Sequence, residues 1–161
     1  MKKLILIRHA KSSWEHDVID HERPLNPRGI TDAGLISDAL KLKKLNIDLV
    51  LISDAERTKL TANIILPKLN IDKDNIRYNH KLYDFSGSDL VNVIKNCDDS
   101  VNELMVFGHN HAITAFVNTY GDTYIDNVPT CGTVIIAFQT DTWSEIASGK
   151  TIFTLFPRDL K

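Results

Sequence analysis

Short apolar runs, set apart by longer stretches of mixed polarity, organise this chain. Residues 3–7, 49–52, 104–107 and 133–138 are dominated by Leu, Ile, Val, Met and Phe. Each is too short for a free-standing helix and lacks the alternation of a half-exposed strand, so each reads as a strand covered on both faces of a parallel sheet. Weaker runs at 76–79 and 151–156 read as further strands.

The intervening segments carry helical spacing. After Gly29, Thr31 is placed to cap a helix whose Ala33, Ile36, Ala39 and Leu40 share one face. A second helix runs from Glu56 to Leu66, with Leu60, Ile64 and Ile65 on one side and Pro67 forcing its end. Ser88 stands at an N-cap position before Leu90, Val91 and Ile94, and a fourth helix starts just after His109 and stops at Gly121. Strands alternating with helices predict one α/β domain over 1–161, a three-layer sandwich whose central sheet is mainly parallel.

Composition narrows the class. With 161 residues, 43% hydrophobic and 25% charged, the chain is long enough and apolar enough to bury a core. A net charge of −2 argues against an electrostatic nucleic-acid binder. The apolar run before Arg8 is shorter than a secretory signal requires, and no stretch has membrane-spanning length. Cys97 and Cys131 form no metal-type or redox motif, which points to reduced thiols and a cytoplasmic protein.

The chemistry lies at the strand ends. His9 follows the first strand with Arg8 beside it, His109 follows the third strong run, and the second leads into Arg57. Ligands of parallel sheets bind beyond the carboxyl ends of the strands, so these side chains are expected in one crevice. A neutral imidazole can attack phosphorus while guanidinium forks hold the transferred dianion. Arginine at a helix start is unfavourable to the helix dipole, which favours a pocket role for Arg57. The long irregular segment 8–30 is expected to serve the site. Within it Arg23 and Arg28 bracket Pro24 to Pro27, either paired with Asp20, Glu22 or Asp32 or offered to a substrate. No histidine pair has His-x-x-x-His spacing on a credible helix, so no metal is expected.

Arg8-His9-Ala10, Arg57 within Ser53-Asp54-Ala55-Glu56-Arg57, and Gly108-His109-Asn110 resemble the histidine phosphatase superfamily. Arg23-Pro24-Leu25-Asn26-Pro27-Arg28-Gly29, Leu82-Tyr83, Pro129-Thr130 and Phe156-Pro157-Arg158 are similar to its SixA branch, small phosphohistidine phosphatases. The resemblance implies a phosphoglycerate-mutase-like fold, a covalent phosphohistidine at His9, and Arg8, Arg57 and His109 around the phosphoryl group. Asn110 and Ser12 are further candidate donors. It implies no cofactor and no metal, and as partner a phosphohistidine-bearing protein, such as a phosphotransfer domain or phosphocarrier. The superfamily asparagine six residues after the motif histidine is replaced by Glu15, which should turn away from a phosphate. Asp84 stands where many members carry a general acid; it either donates a proton or caps the Ser86–Ser88 turn. Two other readings remain open: the same mechanism on a small phosphomonoester, and a non-catalytic phosphate- or phosphoprotein-binding module.

Overall fold

The structure, a computed structural model, describes residues 1–161. The expected runs form strands β1 (Lys2–Arg8), β2 (Leu49–Ile52), β3 (Ile76–Tyr78), β4 (Glu103–Gly108), β5 (Thr133–Phe138) and β6 (Lys150–Leu155). They make one sheet in the order β3-β2-β4-β1-β5-β6. β3, β2, β4 and β1 are mutually parallel, while β5 runs antiparallel to both β1 and β6. The mainly parallel sandwich expected from the alternation of runs is therefore the fold.

Helices cover both faces. Ile5, Ile7, Met105 and Phe107 point to a cluster shared with Ala33, Ile36 and Leu40 of helix α1 (Pro27–Lys43) and Ala62 and Ile65 of α2 (Glu56–Ile65). Leu4, Leu6, Leu104 and Val106 point the other way, to Leu90 and Ile94 of α3 (Ser88–Lys95) and Ile113, Phe116 and Val117 of α4 (Ala112–Tyr120). This two-sided burial is why the strands read as unbroken apolar runs. The chain leaves β1 toward one layer and β4 toward the other, so the sheet has its switch point between those strands.

The helix starts shift the expectations. α1 begins a turn before Thr31: Pro27 takes its first position and the Asn26 side chain accepts from the Gly29 N–H at 2.8 Å. A proline with its φ already helical, preceded by an asparagine cap, makes the stronger start signal. At α3, Gly87 (φ 115°) holds the cap position and Ser88 is the first helical residue. α2 gives way to a tight turn, Leu66–Lys68, as Pro67 enters.

The segment between β1 and α1 is anchored against the body of the protein. Ser12 bridges Leu25, Ser13 N–H donates to the Pro24 carbonyl at 2.8 Å, and Asn26 N–H donates to that of Lys11 at 3.0 Å. Gly29 permits this return, because a Cβ there would stand 2.1 Å from the Lys11 carbonyl oxygen. Gly29→Ala should cost about 1–3 kcal/mol, the range for overpacking a filled site, and should displace the turn that follows His9. Urea unfolding checks this; unchanged stability would mean the turn has slack.

Candidate active site

Arg8 and Gly108 are register partners at the ends of neighbouring parallel strands. The next residue on each strand is a histidine, and the His9 N–H donates to the Gly108 carbonyl at 3.1 Å. Parallel strands lie about 4.8 Å apart, so the two imidazoles must meet. Their ring centroids are 5.3 Å apart.

His9 is buried, and its Nδ1 lies 2.7 Å from the Ala10 carbonyl. Since a carbonyl only accepts, Nδ1 carries the proton and the lone pair stays on Nε2, which has no protein partner. Burial drives the His9 pKa down to about 3; the Ala10 bond opposes that, and the charges of Arg57, Arg8 and Arg23 add to it. His109 is lowered still further, by burial first and then by His9 and Arg57. Both rings are thus neutral at neutral pH. The Ser53 hydroxyl sits 2.8 Å from His109 Nε2, leaving Nδ1 as the ring's second polar atom.

Two arginines are fixed from behind. Arg8 donates through Nη1 to the Val128 carbonyl at 2.9 Å. Arg57 is 2% exposed and donates to both the carbonyl and the carboxylate of Asp20, at 2.8 and 3.0 Å. Thr61, one turn along α2, accepts from the Ala10 N–H and donates to the Arg57 carbonyl, which ties α2 to the turn after His9. Arg8 Nε, Arg57 Nε and His109 Nδ1 are buried without any hydrogen-bond partner. Three orphaned nitrogens on the side chains around one free imidazole nitrogen suit an oxyanion, since buried polar groups are ordinarily paired.

The other expected residues fall differently. Arg23 is buried, joins Asp20 at 3.0 Å, donates to Ser12 Oγ at 2.8 Å and lies 3.5 Å over the Trp14 ring. Ser12 Oγ thus accepts from Arg23 while its own hydroxyl proton has no protein acceptor. Arg28 is exposed and pairs with Asp32 at 3.6 Å. Glu15 is exposed, turned to solvent as expected. The Asn110 side chain accepts from Thr114 and donates one amide hydrogen to Asn127 at 2.7 Å, which leaves its second amide hydrogen without a protein acceptor. Asp84 takes the capping alternative. One oxygen accepts from Ser86 N–H and Oγ, and the other from Gly87 and Leu90 N–H at 3.1 and 3.0 Å. Burial alone would raise its pKa, but these bonds outweigh that and hold it ionised, the wrong state for a proton donor.

Sequence reasoning missed Asp20, Ser53 and Tyr83 as parts of the site. Tyr83 donates its hydroxyl to Asp20 and meets His109 edge-on at 5.4 Å. The hydrogen bonds of Tyr83, Arg57 and Arg23 outweigh the burial of Asp20 and hold its carboxyl far below the usual range. A carboxylate therefore engages the guanidinium groups on which a phosphoryl group would draw. On the far side of the Tyr83 ring, His21, Asp54 and His80 converge in a second polar cluster.

Residues 4–92, more than half of the chain, match the model of the histidine phosphatase superfamily (branch 1). The chain belongs to that superfamily. It is 37% identical over 109 residues to an uncharacterized protein of Mycobacterium tuberculosis, a match covering 68% of this chain and 66% of that protein, just under two thirds of its length. An uncharacterized chloroplastic protein of Arabidopsis thaliana is 28% identical over 153 residues, covering 89% of this chain and 70% of that one. Among solved structures, the protein histidine phosphatase SixA complexed with tungstate superposes with a TM-score of 0.79 at 19% identity, over 99% of both chains. A protein of Agrobacterium tumefaciens provisionally assigned as phosphohistidine phosphatase SixA gives 0.77 at 22%, over 96% of this chain and 97% of that one. At such identities these two likenesses establish the shared fold.

Two outcomes test the electrostatics. His9 takes up a proton on unfolding once the pH falls below the ordinary imidazole value near 6.5, because its folded pKa is depressed. Its contribution is present above that value and fades as the pH falls toward 3. Between about pH 7 and about pH 4.5, the wild type should lose about 2 kcal/mol more than His9→Gln in denaturant titrations. Equal losses would mean that the ring titrates normally. Asp20→Asn keeps an acceptor on Arg57 but removes a negative charge, worth about 1 kcal/mol against an anion at contact distance. Inorganic phosphate should then inhibit about fivefold more strongly. Weaker inhibition would show that Asp20 holds Arg57 in place instead of competing for it.

Proposed function

We propose that the chain is a phosphatase that takes the phosphoryl group onto Nε2 of His9 and hydrolyses the phosphohistidine so formed, with a protein-borne phosphohistidine as its substrate. The observation carrying this is the unprotonated, unpartnered Nε2 of a neutral His9 beside buried, unsatisfied nitrogens of Arg8, Arg57 and His109. His9 attacks phosphorus, the bond from phosphorus to the leaving nitrogen breaks, and the substrate imidazole departs with its proton. Water then attacks the phosphoryl group, freeing Nε2 and releasing inorganic phosphate. Arg8, Arg57 and the His109 N–H balance the charge that develops on the equatorial oxygens. Positive charge in the pocket comes from the guanidinium groups, so this step needs no metal there. The superfamily match and the SixA fold support the reading.

Two observations favour phosphohistidine over an alkyl phosphate. The general-acid position is closed, because Asp84 is ionised and engaged by four donors, and Asp20 is held ionised by Tyr83, Arg57 and Arg23. An alkoxide needs a proton on leaving, while a protonated imidazole does not. The second is the surface of the loops around the crevice. Trp14 (which stacks on Arg23), Val18 and Ile19 on the segment after β1, and Phe85 beside His109 are all exposed. Exposed apolar residues on functional loops suit a protein partner better than a metabolite.

A phosphorylated phosphotransfer domain or phosphocarrier should therefore be dephosphorylated with a kcat/KM at least about a hundredfold above that for an alkyl phosphate, the scale of a missing general acid. Rapid quench without acid and intact-mass analysis should find one phosphoryl adduct on His9, absent in His9→Ala together with all turnover. Alkyl phosphates cleaved as fast would move the assignment to a small phosphomonoester. An adduct on another residue would overturn the mechanism.

A further inference from the structure

Outside the phosphoryl pocket, three side chains from three separate segments aim their polar atoms at one point. His21 lies in the turn Asp20–Glu22 of the segment after β1, Asp54 follows β2, and His80 lies in the turn His80–Leu82 after β3. His21 Nε2 is 2.9 Å from Asp54 Oδ1, and His80 Nδ1 is 3.0 Å from both oxygens of the same carboxylate. One atom from each residue can be chosen so that all three lie within 4.8 Å of one another. Tyr83 packs edge-on against the His21 ring at 4.8 Å and lies tilted against His80 at 5.8 Å, which limits how either imidazole can rotate. Burial works against ionisation of Asp54, but the two histidine bonds outweigh it and keep the carboxyl below its usual range.

We propose that His21 Nε2, the Asp54 carboxylate and His80 Nδ1 form a binding site for a divalent transition-metal ion of borderline softness, of which zinc is the type. Two imidazole nitrogens and a carboxylate oxygen are the donor set of open tetrahedral zinc sites, in which water takes the fourth position. Ligand bonds of about 2.0–2.1 Å imply donor atoms about 3.3 Å apart, so the present separations need only small side-chain rotations to close on an ion. Calcium and magnesium prefer all-oxygen shells, which this cluster does not offer. On binding, the ring protons now directed at Asp54 move to the opposite nitrogens, and the ion takes their place between the three side chains. With side-chain exposures of 30% for His21, 28% for Asp54 and 73% for His80, the cluster is open to ions from solution.

The expectation of no metal rested on the spacing of histidines within a helix. Here His21 and Asp54 are 33 positions apart and Asp54 and His80 are 26 apart, joined only through the fold. An ion at this place would cross-link the segment after β1 to the ends of β2 and β3, next to Asp20 and its grip on Arg57. The site stands independently of the substrate assignment, since none of its ligands touches the reacting atoms.

Untagged protein, stripped with a chelator, is titrated with zinc by calorimetry and with cobalt by visible absorption, alongside His80→Ala, His21→Ala and His9→Ala. The wild type should bind one zinc, show the intense visible bands of tetrahedral cobalt and rise in Tm with zinc. His80→Ala and His21→Ala should each weaken binding by at least about tenfold and abolish the Tm rise. His80 is largely exposed, so its removal leaves the fold to be tested on equal terms. His9→Ala should bind zinc as the wild type does. The absence of saturable binding, binding unchanged in His80→Ala, or binding lost in His9→Ala would each overturn the proposal, the last by placing the ion at the catalytic histidines.

Discussion

Everything at the site hangs on the register between β1 and β4. Because Arg8 pairs with Gly108, the histidine that follows each residue leaves the sheet at the same level and on neighbouring strands. Slipping that pairing by one residue would exchange the two faces of each strand, sending Ile5 and Ile7 into the layer that packs Leu4 and Leu6. The register is therefore enforced by the whole core. The histidine pair is positioned by burial of some dozens of apolar side chains that never touch a ligand, so the pocket is stiff where the chemistry needs it.

That stiffness is used to hold an electrostatic arrangement that water would not tolerate. Two imidazoles are kept neutral by burial and by nearby guanidinium charge, and the Ala10 carbonyl selects the tautomer of His9. In a free chain both rings would take up a proton near pH 6.5 and lose their free lone pair. The cation excess is tempered by Asp20, which joins Arg57, Arg23 and Tyr83 in one network. The guanidinium groups of Arg8 and Arg57 and the His109 ring are already oriented by the Val128 carbonyl, Asp20 and Ser53, as the proposed function would require. Preorganisation of this kind lowers the reorganisation required at the transition state.

The sheet and the histidine pair were legible because both are written in contiguous residues. Apolar runs buried on two faces declare themselves, and His9 and His109 each sit one step past such a run. Arg57 was legible through its mismatch with a helix start. What escaped were contacts between distant segments. Asp20 reads as one acid among several in a polar loop, and only the folded turn brings it onto Arg57. The capping alternative for Asp84 was visible, yet choosing it required seeing that all its acceptor capacity goes to Ser86, Gly87 and Leu90. The start of α1 was misjudged because Thr31 and Asn26 are both good caps, and the proline after Asn26 decides between them. His21, Asp54 and His80 had no local signature at all.

The central claim is that His9 is neutral and carries its proton on Nδ1, with Nε2 open to phosphorus. Nitrogen-15 NMR of protein labelled in its histidine rings reads this directly through the two ring-nitrogen shifts and their couplings to the ring protons. At about pH 5, where an ordinary imidazole is charged, His9 should show a protonated Nδ1 and a bare, pyridine-like Nε2. An imidazolium signal for His9 at that pH, or a proton on Nε2, would contradict the account.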